Sequence, residues 1–371
     1  MIAKLLLGAG AITLASAFSS IPAAAKEPQP NVGTTHLPMQ YYHNPDGSFM
    51  RFRGTVTGPS WSGYAVTAEA PYTSASASWQ VPDVSYDGRQ TPYGYEYVLN
   101  WTGVGGYGDQ TLIQLGTESV VSTAGAKTFY TWYELYPAVS QGVALTVKPG
   151  DIVTASLQCT ANCSPSQTQT WQLTLADDTS GAAWTQSVSY QSSMASAEWI
   201  TEPPYYNGFL PLADYTQATY DPVEANGTNP NLSLSANGII MQGSWGQTSN
   251  PSAPANGDVF STCWGGGTTL TPCAAGSFTV PPPVVTASLS ASPTSVSSGQ
   301  SSTLSWSSTN ATNCTGGNFT ASAISGSAVV SPSVTTSYSI TCTDGTDPAT
   351  AMATVSVSSS KGGGGGHGKK H

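Results

Sequence analysis

The sequence predicts an all-β protein, a sandwich or jelly roll with a smaller β-domain behind it, and three observations carry that reading. From about Thr55 to Val280, short runs rich in Val, Thr, Tyr and Trp recur between clusters of Gly, Pro, Asn and Asp, as strands recur between turns. No stretch carries the apolar period of a convincing amphipathic helix. Charged residues make up 8% of the 371-residue chain, far below the roughly 25% of ordinary soluble domains. Such a composition suits an extracellular β-rich protein, and the length exceeds one usual domain.

The elements follow in order. Lys4, the apolar LLLGAGAITLASAF and the small residues Ala23, Ala24 and Ala25 have the order of a secretory signal peptide, residues 1–25. The apolar part is too short and too rich in Gly and Ser for a membrane span, so export to the extracellular space or periplasm is expected. Residues 26–54 form a polar leader or short propeptide. Its His36, His43, Arg51 and Arg53 are expected to dock on the acidic body at neutral pH and to leave as carboxylates protonate. The body, 55–280, contains SWSGYAV, ASASWQV, YVLNWTGV, TLIQLG, TFYTWYELYP, TWQLTLADD and AEWITE as strands, with KPGD and ADDTSG at hairpin turns. Prolines stiffen a linker at 281–285. Residues 286–358 alternate through Ser302, Leu304 and Trp306 and resemble the immunoglobulin-like modules appended to secreted bacterial enzymes. The tail, 359–371, is a Gly-rich spacer with a basic tip. Export permits disulfides, and the six cysteines suggest Cys159 with Cys163, Cys263 with Cys273 and Cys314 with Cys342.

In AEWITE, the two-residue period of a strand puts Glu198, Ile200 and Glu202 on one face and Trp199 and Thr201 on the other. In LIQLG it sends Gln114 away from Ile113 and Leu115, so one amide interrupts an apolar segment and needs a partner if buried. Taken singly, each has an ordinary explanation: a solvated strand face for the glutamates, a hydrogen-bonded strut for the amide.

Elimination narrows the chemistry. No His occurs between Arg51 and Val280, which excludes Ser-His-Asp and Cys-His machinery and a His-ligated metal within the body. No Gly-rich loop opens a helix, so phosphate and dinucleotide cofactors have no support. The net charge of -10 argues against nucleic acid. No metal or cofactor is expected, and a monomer suffices. The body's basic residues are Arg89, Lys127 and Lys148, so protonating its carboxylates leaves few positive charges to repel one another. That suits a protein folded in acid.

Residues from about Ser60 to Gln242 resemble the glutamic peptidases, or eqolisins. The motifs are SWSG at Trp61, NWTGVGG at Trp101, LIQLG at Gln114, TWYELYP at Glu134 and AEWITE ending at Glu202, in the family's order. The resemblance implies a concanavalin-like β-sandwich of two curved antiparallel sheets and a secreted, acid-active endopeptidase on protein or peptide substrates. It implies Glu202 as general base and then acid on a water, with Gln114 as oxyanion donor. Glu134, Glu198 and Glu118 would support this pair, and Trp61, Trp101 and Tyr136 would line the cleft. One departure is VGG, Val104 to Gly106, where the family commonly has an Asp. The chemistry agrees: hydrolysis without a nucleophile needs a base, an oxyanion donor and an acid, and an amide does not titrate. A Glu near its reference pKa of about 4.3 would set an acidic working range. The rivals are a jelly-roll glycosidase using Glu134 and Glu202, and a non-catalytic carbohydrate-binding β-module. Glu198 and Glu202 cannot be the glycosidase pair, because four strand residues span about 13 Å.

Overall fold

The computed structural model describes residues 34–39, 55–67, 71–91, 93–267, 269–280, 284–321 and 323–358. The expected signal peptide, the prolines of the linker, the tail, and His43, Arg51 and Arg53 lie outside these residues. Among them the chain is almost wholly β, its one α-helix being the single turn Leu234–Asn237.

The body is one hydrogen-bonded sheet of fifteen strands that doubles over on itself. One half runs through Ala182–Tyr190, Gln169–Asp177, Ile152–Ala161, Ser74–Gln80, Ala218–Ala225 and Phe260–Gly265. The other runs through Ser62–Thr67, Ser196–Glu202, Tyr95–Val104, Ile113–Ser122 and Lys127–Leu135. Thr248–Pro251 and Gly238–Gln242 join the halves. The halves face each other as the layers of a β-sandwich, and the core between them includes Trp79, Trp171, Trp199, Tyr220 and Phe260. Burying these aromatics and the aliphatics around them is the main driving force for the doubled sheet.

Alternation assigns the faces as expected. Ile113, Leu115 and Trp199 belong to the inter-sheet core, whereas Trp101, Trp132 and Ile200 join a second apolar cluster on the opposite face. Buried donors on the core side find acceptors: Asn100 Nδ2 donates to Thr201 Oγ1 (2.9 Å) and Tyr220 Oη (3.0 Å), and Trp199 Nε1 donates to the Ser76 carbonyl (2.8 Å). Such pairing is what burial of polar groups demands. Both faces of Ser196–Glu202 are covered, and all seven of its residues are buried. Its glutamates are therefore not a solvated strand face.

Two motif glycines have steric causes. At Gly63, φ is +142° and a Cβ would lie 2.2 Å from the Trp199 carbonyl oxygen. At Gly116, a Cβ would lie 2.1 Å from the Asn100 carbonyl oxygen. Only glycine allows the neighbouring backbone this close.

Behind the body, Thr286–Ser292, Ser302–Thr309 and Ser325–Val330 form a three-stranded sheet. Ser295–Ser297, Pro348–Ser358, Thr336–Thr343 and Asn313–Gly317 form a four-stranded one. Leu304 and Trp306 point inward with Tyr338, Ile340 and Val355. Disulfides join Cys159 to Cys163, Cys263 to Cys273 and Cys314 to Cys342.

Candidate active site

Residues directly opposite each other on antiparallel strands point to the same face, and the registers of four adjacent strands set three ranks on the outer face of the second half. The first rank is Glu198, Gly103, Gln114 and Glu134. The second is Ile200, Trp101, Gly116 and Trp132, and the third is Glu202, Leu99, Glu118 and Tyr130. Trp61, one residue before Ser62–Thr67, meets Trp101 edge to face, with ring centroids 5.0 Å apart. The four glutamates and Gln114 are all buried, with at most 2% of any one exposed.

Burial dominates the electrostatics, because a desolvated carboxyl favours its neutral form. It raises Glu134, Glu198 and Glu202 well above the usual carboxylate range and pushes Glu118 up to about 8. For Glu202 the charge of Glu134 adds to the rise, while the indole N–H groups of Trp101 and Trp61 oppose it from beyond hydrogen-bonding geometry. For Glu198 the charge of Asp109 adds and Ser196 opposes. The expectation of a Glu202 near its reference pKa is therefore corrected: with the cleft filled, its carboxyl is out of water.

Gln114 and Glu134 are cross-strand partners, and both touch residues 34–39. Gln114 Nε2 donates to the His36 carbonyl (3.3 Å), while its Oε1 has no hydrogen-bond partner among the described residues. Glu134 accepts the His36 backbone N–H (3.0 Å to Oε2) and bonds the His36 ring at Nδ1. That ring stacks on Trp132, with centroids 4.0 Å apart and planes at 30°. Of the expected leader contacts, the one with His36 falls on described residues, and its acidic partner is Glu134. Burial holds this imidazole down at about 3.

The other expected site residues are placed as follows. Tyr136 sits just past Lys127–Leu135, its N–H donating to the Leu112 carbonyl (2.9 Å) and its carbonyl accepting from Tyr190 Oη (2.7 Å). It packs against the Trp61 and Trp101 cluster. Glu118 lies on the shared face with no hydrogen bond to Gln114 among the described residues, and Glu198 lies close enough to raise the pKa of Tyr107 and Tyr72.

Sequence reasoning passed over Trp132 and Asp109. Trp132 stands inside TWYELYP, two residues before Glu134, so its alternation toward the same face was readable. Asp109 organises the loop after Val104. It accepts from Thr111 N (2.7 Å), Thr111 Oγ1 (2.8 Å) and Ser193 Oγ (2.5 Å). Gly105 and Gly106 have φ of +84° and +97°, and a Cβ at Gly105 would lie 2.6 Å from the Thr111 carbonyl oxygen, so no Asp fits there. Among the described residues, no three His, Cys, Asp or Glu converge as metal ligands.

Residues 59–263 match the model of the peptidase A4 family. Among solved structures, the chain is similar to the crystal structure of scytalido-glutamic peptidase with a transition state analog inhibitor. That likeness is 20% identity over 56% of this chain and 98% of that chain, with a TM-score of 0.41. No curated protein sequence matches.

Proposed function

This chain belongs to the peptidase A4 family and is a peptide hydrolase, and from that premise we propose a secreted, acid-active glutamic endopeptidase in which Gln114 and Glu202 do the chemistry. One observation carries the assignment of Gln114: its amide already donates to a peptide carbonyl lying in the cleft. An amide aimed at a carbonyl oxygen can follow that oxygen as it gains charge, and it stays a donor at any acidity.

Glu202 takes the proton of the attacking water and returns it to the departing amine nitrogen. As a base it must be ionised, which requires water in the cleft. The charge of Glu134 raises Glu202, so a proton held on Glu134 leaves Glu202 freer to ionise and act as the base. Glu198 and Glu118 hold the shared face beside them. Trp61, Trp101 and Tyr136 shape the apolar floor on which a peptide lies. The disulfides fit export, and no described helix is long and apolar enough to cross a membrane. The body of 55–280 and the immunoglobulin-like module of 286–358 are the units in which we read the chain, the second supported by its two packed sheets and the Cys314–Cys342 bridge.

Casein digestion between acidic and neutral pH tests the reading. The expected result is a bell-shaped profile with an acidic maximum, unaffected by pepstatin-type inhibitors. A rate that peaks at neutral pH, or one that pepstatin abolishes, contradicts it.

A further inference from the structure

Two rungs from the pair Gln114 and Glu134, the ladder between Ile113–Ser122 and Lys127–Leu135 ends in a bond supplied from outside it. Residues of a hydrogen-bonded antiparallel pair exchange two backbone bonds. At Leu112 and Tyr136, the pair just beyond Ile113 and Leu135, one of the two is direct: Tyr136 N–H donates to the Leu112 carbonyl (2.9 Å). The second is spanned by a side chain from the opposite layer. Tyr190 Oη accepts the Leu112 N–H (2.8 Å) and donates to the Tyr136 carbonyl (2.7 Å), so one hydroxyl uses both of its roles to complete the rung.

Tyr190 is the last residue of Ala182–Tyr190, the strand at the end of the doubled sheet, whose hydrogen-bonded neighbour is Gln169–Asp177. Alternation turns Trp184, Gln186, Val188 and Tyr190 to one face. That face leans on the site strands: Trp184 stacks on Tyr133, with centroids 5.6 Å apart and planes at 25°, and Gln186 Nε2 donates to Tyr133 Oη (3.3 Å). Burial pushes the Tyr190 phenol up to about 12, so it keeps the proton it donates. The chain beyond it fastens the entry to the Gln114 strand as well. Ser193 N–H donates to Thr111 Oγ1 (2.8 Å), next to Leu112.

Resting on the reading of Gln114 as oxyanion donor, we propose that Tyr190 is a positioning residue of the peptidase, its hydroxyl fixing the strand end from which the Gln114 amide is aimed. It acts through Gln114 and takes no part in bond making. An amide two residues from a strand end moves with that end when it frays, and a displacement of about 1 Å costs a catalytic group roughly 10²-fold.

A double-mutant cycle of Tyr190→Phe and Gln114→Ala tests this, with kcat and KM for casein measured at the pH of fastest digestion and folding checked by circular dichroism. Tyr190→Phe keeps the ring and removes the bridging hydroxyl alone. The expected result is a kcat lowered by roughly 10-fold with KM within about 2-fold of the wild type. In the Gln114→Ala background the same substitution lowers kcat by less than about 2-fold, because no amide remains to be aimed. Gln186→Ala removes a contact of the same strand and leaves the rung intact, so its kcat stays within about 2-fold of the wild type. Hydrogen exchange on the wild type needs no variant: the Leu112 amide is expected to be protected like the ladder beside it. An equal loss of kcat in both backgrounds, a loss confined to KM, an equal loss in Gln186→Ala, or free exchange at Leu112 overturns the proposal and leaves Gln114 as the donor. A folded Gln114→Ala protein with wild-type turnover overturns the reading of Gln114 and the proposal together.

Discussion

Glu202→Gln lowers the rate of casein hydrolysis by roughly 10⁴-fold or more, at every pH, in a protein whose circular dichroism is unchanged. The size of the loss follows from the double duty of one group. Glutamine neither accepts the water proton nor returns it to the amine nitrogen, so both proton transfers fail together. The fold should not suffer, because the replacement is isosteric and the carboxyl it removes is buried and raised well above its usual range. At neutral pH the variant should melt above the wild type, since one buried carboxyl fewer has then to be kept from ionising. A folded variant with near wild-type turnover would remove Glu202 from the chemistry.

The second large effect is on stability against pH. Desolvation pushes Glu118 up to about 8. Desolvation first, then the hydrogen bond and charge of Asp87, push Glu96 up to about 8. In the unfolded chain both titrate near 4.3. Between those limits the folded protein holds protons that the unfolded chain has released. Stability from these groups is therefore complete below about pH 4.3 and falls as pH rises toward 8. Glu134, Glu198 and Glu202 act in the same direction. His36, held down at about 3, acts oppositely: its contribution is present at neutral pH and fades as acid protonates the free imidazole. That one group is outweighed by five carboxyls. The melting temperature is expected to be higher at pH 4.5 than at pH 8 by at least about 5 °C. Glu118→Gln should raise it at pH 8 and leave it nearly unchanged at pH 4.5. A melting temperature that climbs from pH 4.5 to 8 would contradict the assignment of these carboxyls as buried and neutral.

The facing of the site residues was readable from alternation. Two-residue periodicity puts Glu198, Ile200 and Glu202 on one face of AEWITE and turns Gln114 away from Ile113 and Leu115 in LIQLG, because strand geometry is local; that Gln114 and the glutamates share one face follows only from the strand register. What alternation cannot give is depth. Glu202 reads as an ordinary strand carboxylate until Trp61 and Trp101 stand beside it, and those come from distant parts of the chain. The same limit explains why the reference pKa was the wrong starting point for Glu202. Gly63 and Gly116 stood in motifs without a visible cause, since the carbonyls that forbid a Cβ belong to neighbouring strands. His36 reads in the sequence as a basic residue of a docking leader, and its partner Glu134 lies 98 residues away.

The most direct test of the account concerns the amide of Gln114, measured as the pH profile of casein hydrolysis by Gln114→Ala and Gln114→Glu beside the wild type. An oxyanion donor predicts that the alanine variant loses roughly 10²- to 10³-fold in turnover at all pH values. The glutamate variant can donate only while protonated, so it should keep part of its activity at the acidic end and lose it as its carboxyl ionises. Wild-type turnover in a folded Gln114→Ala protein would contradict the dyad.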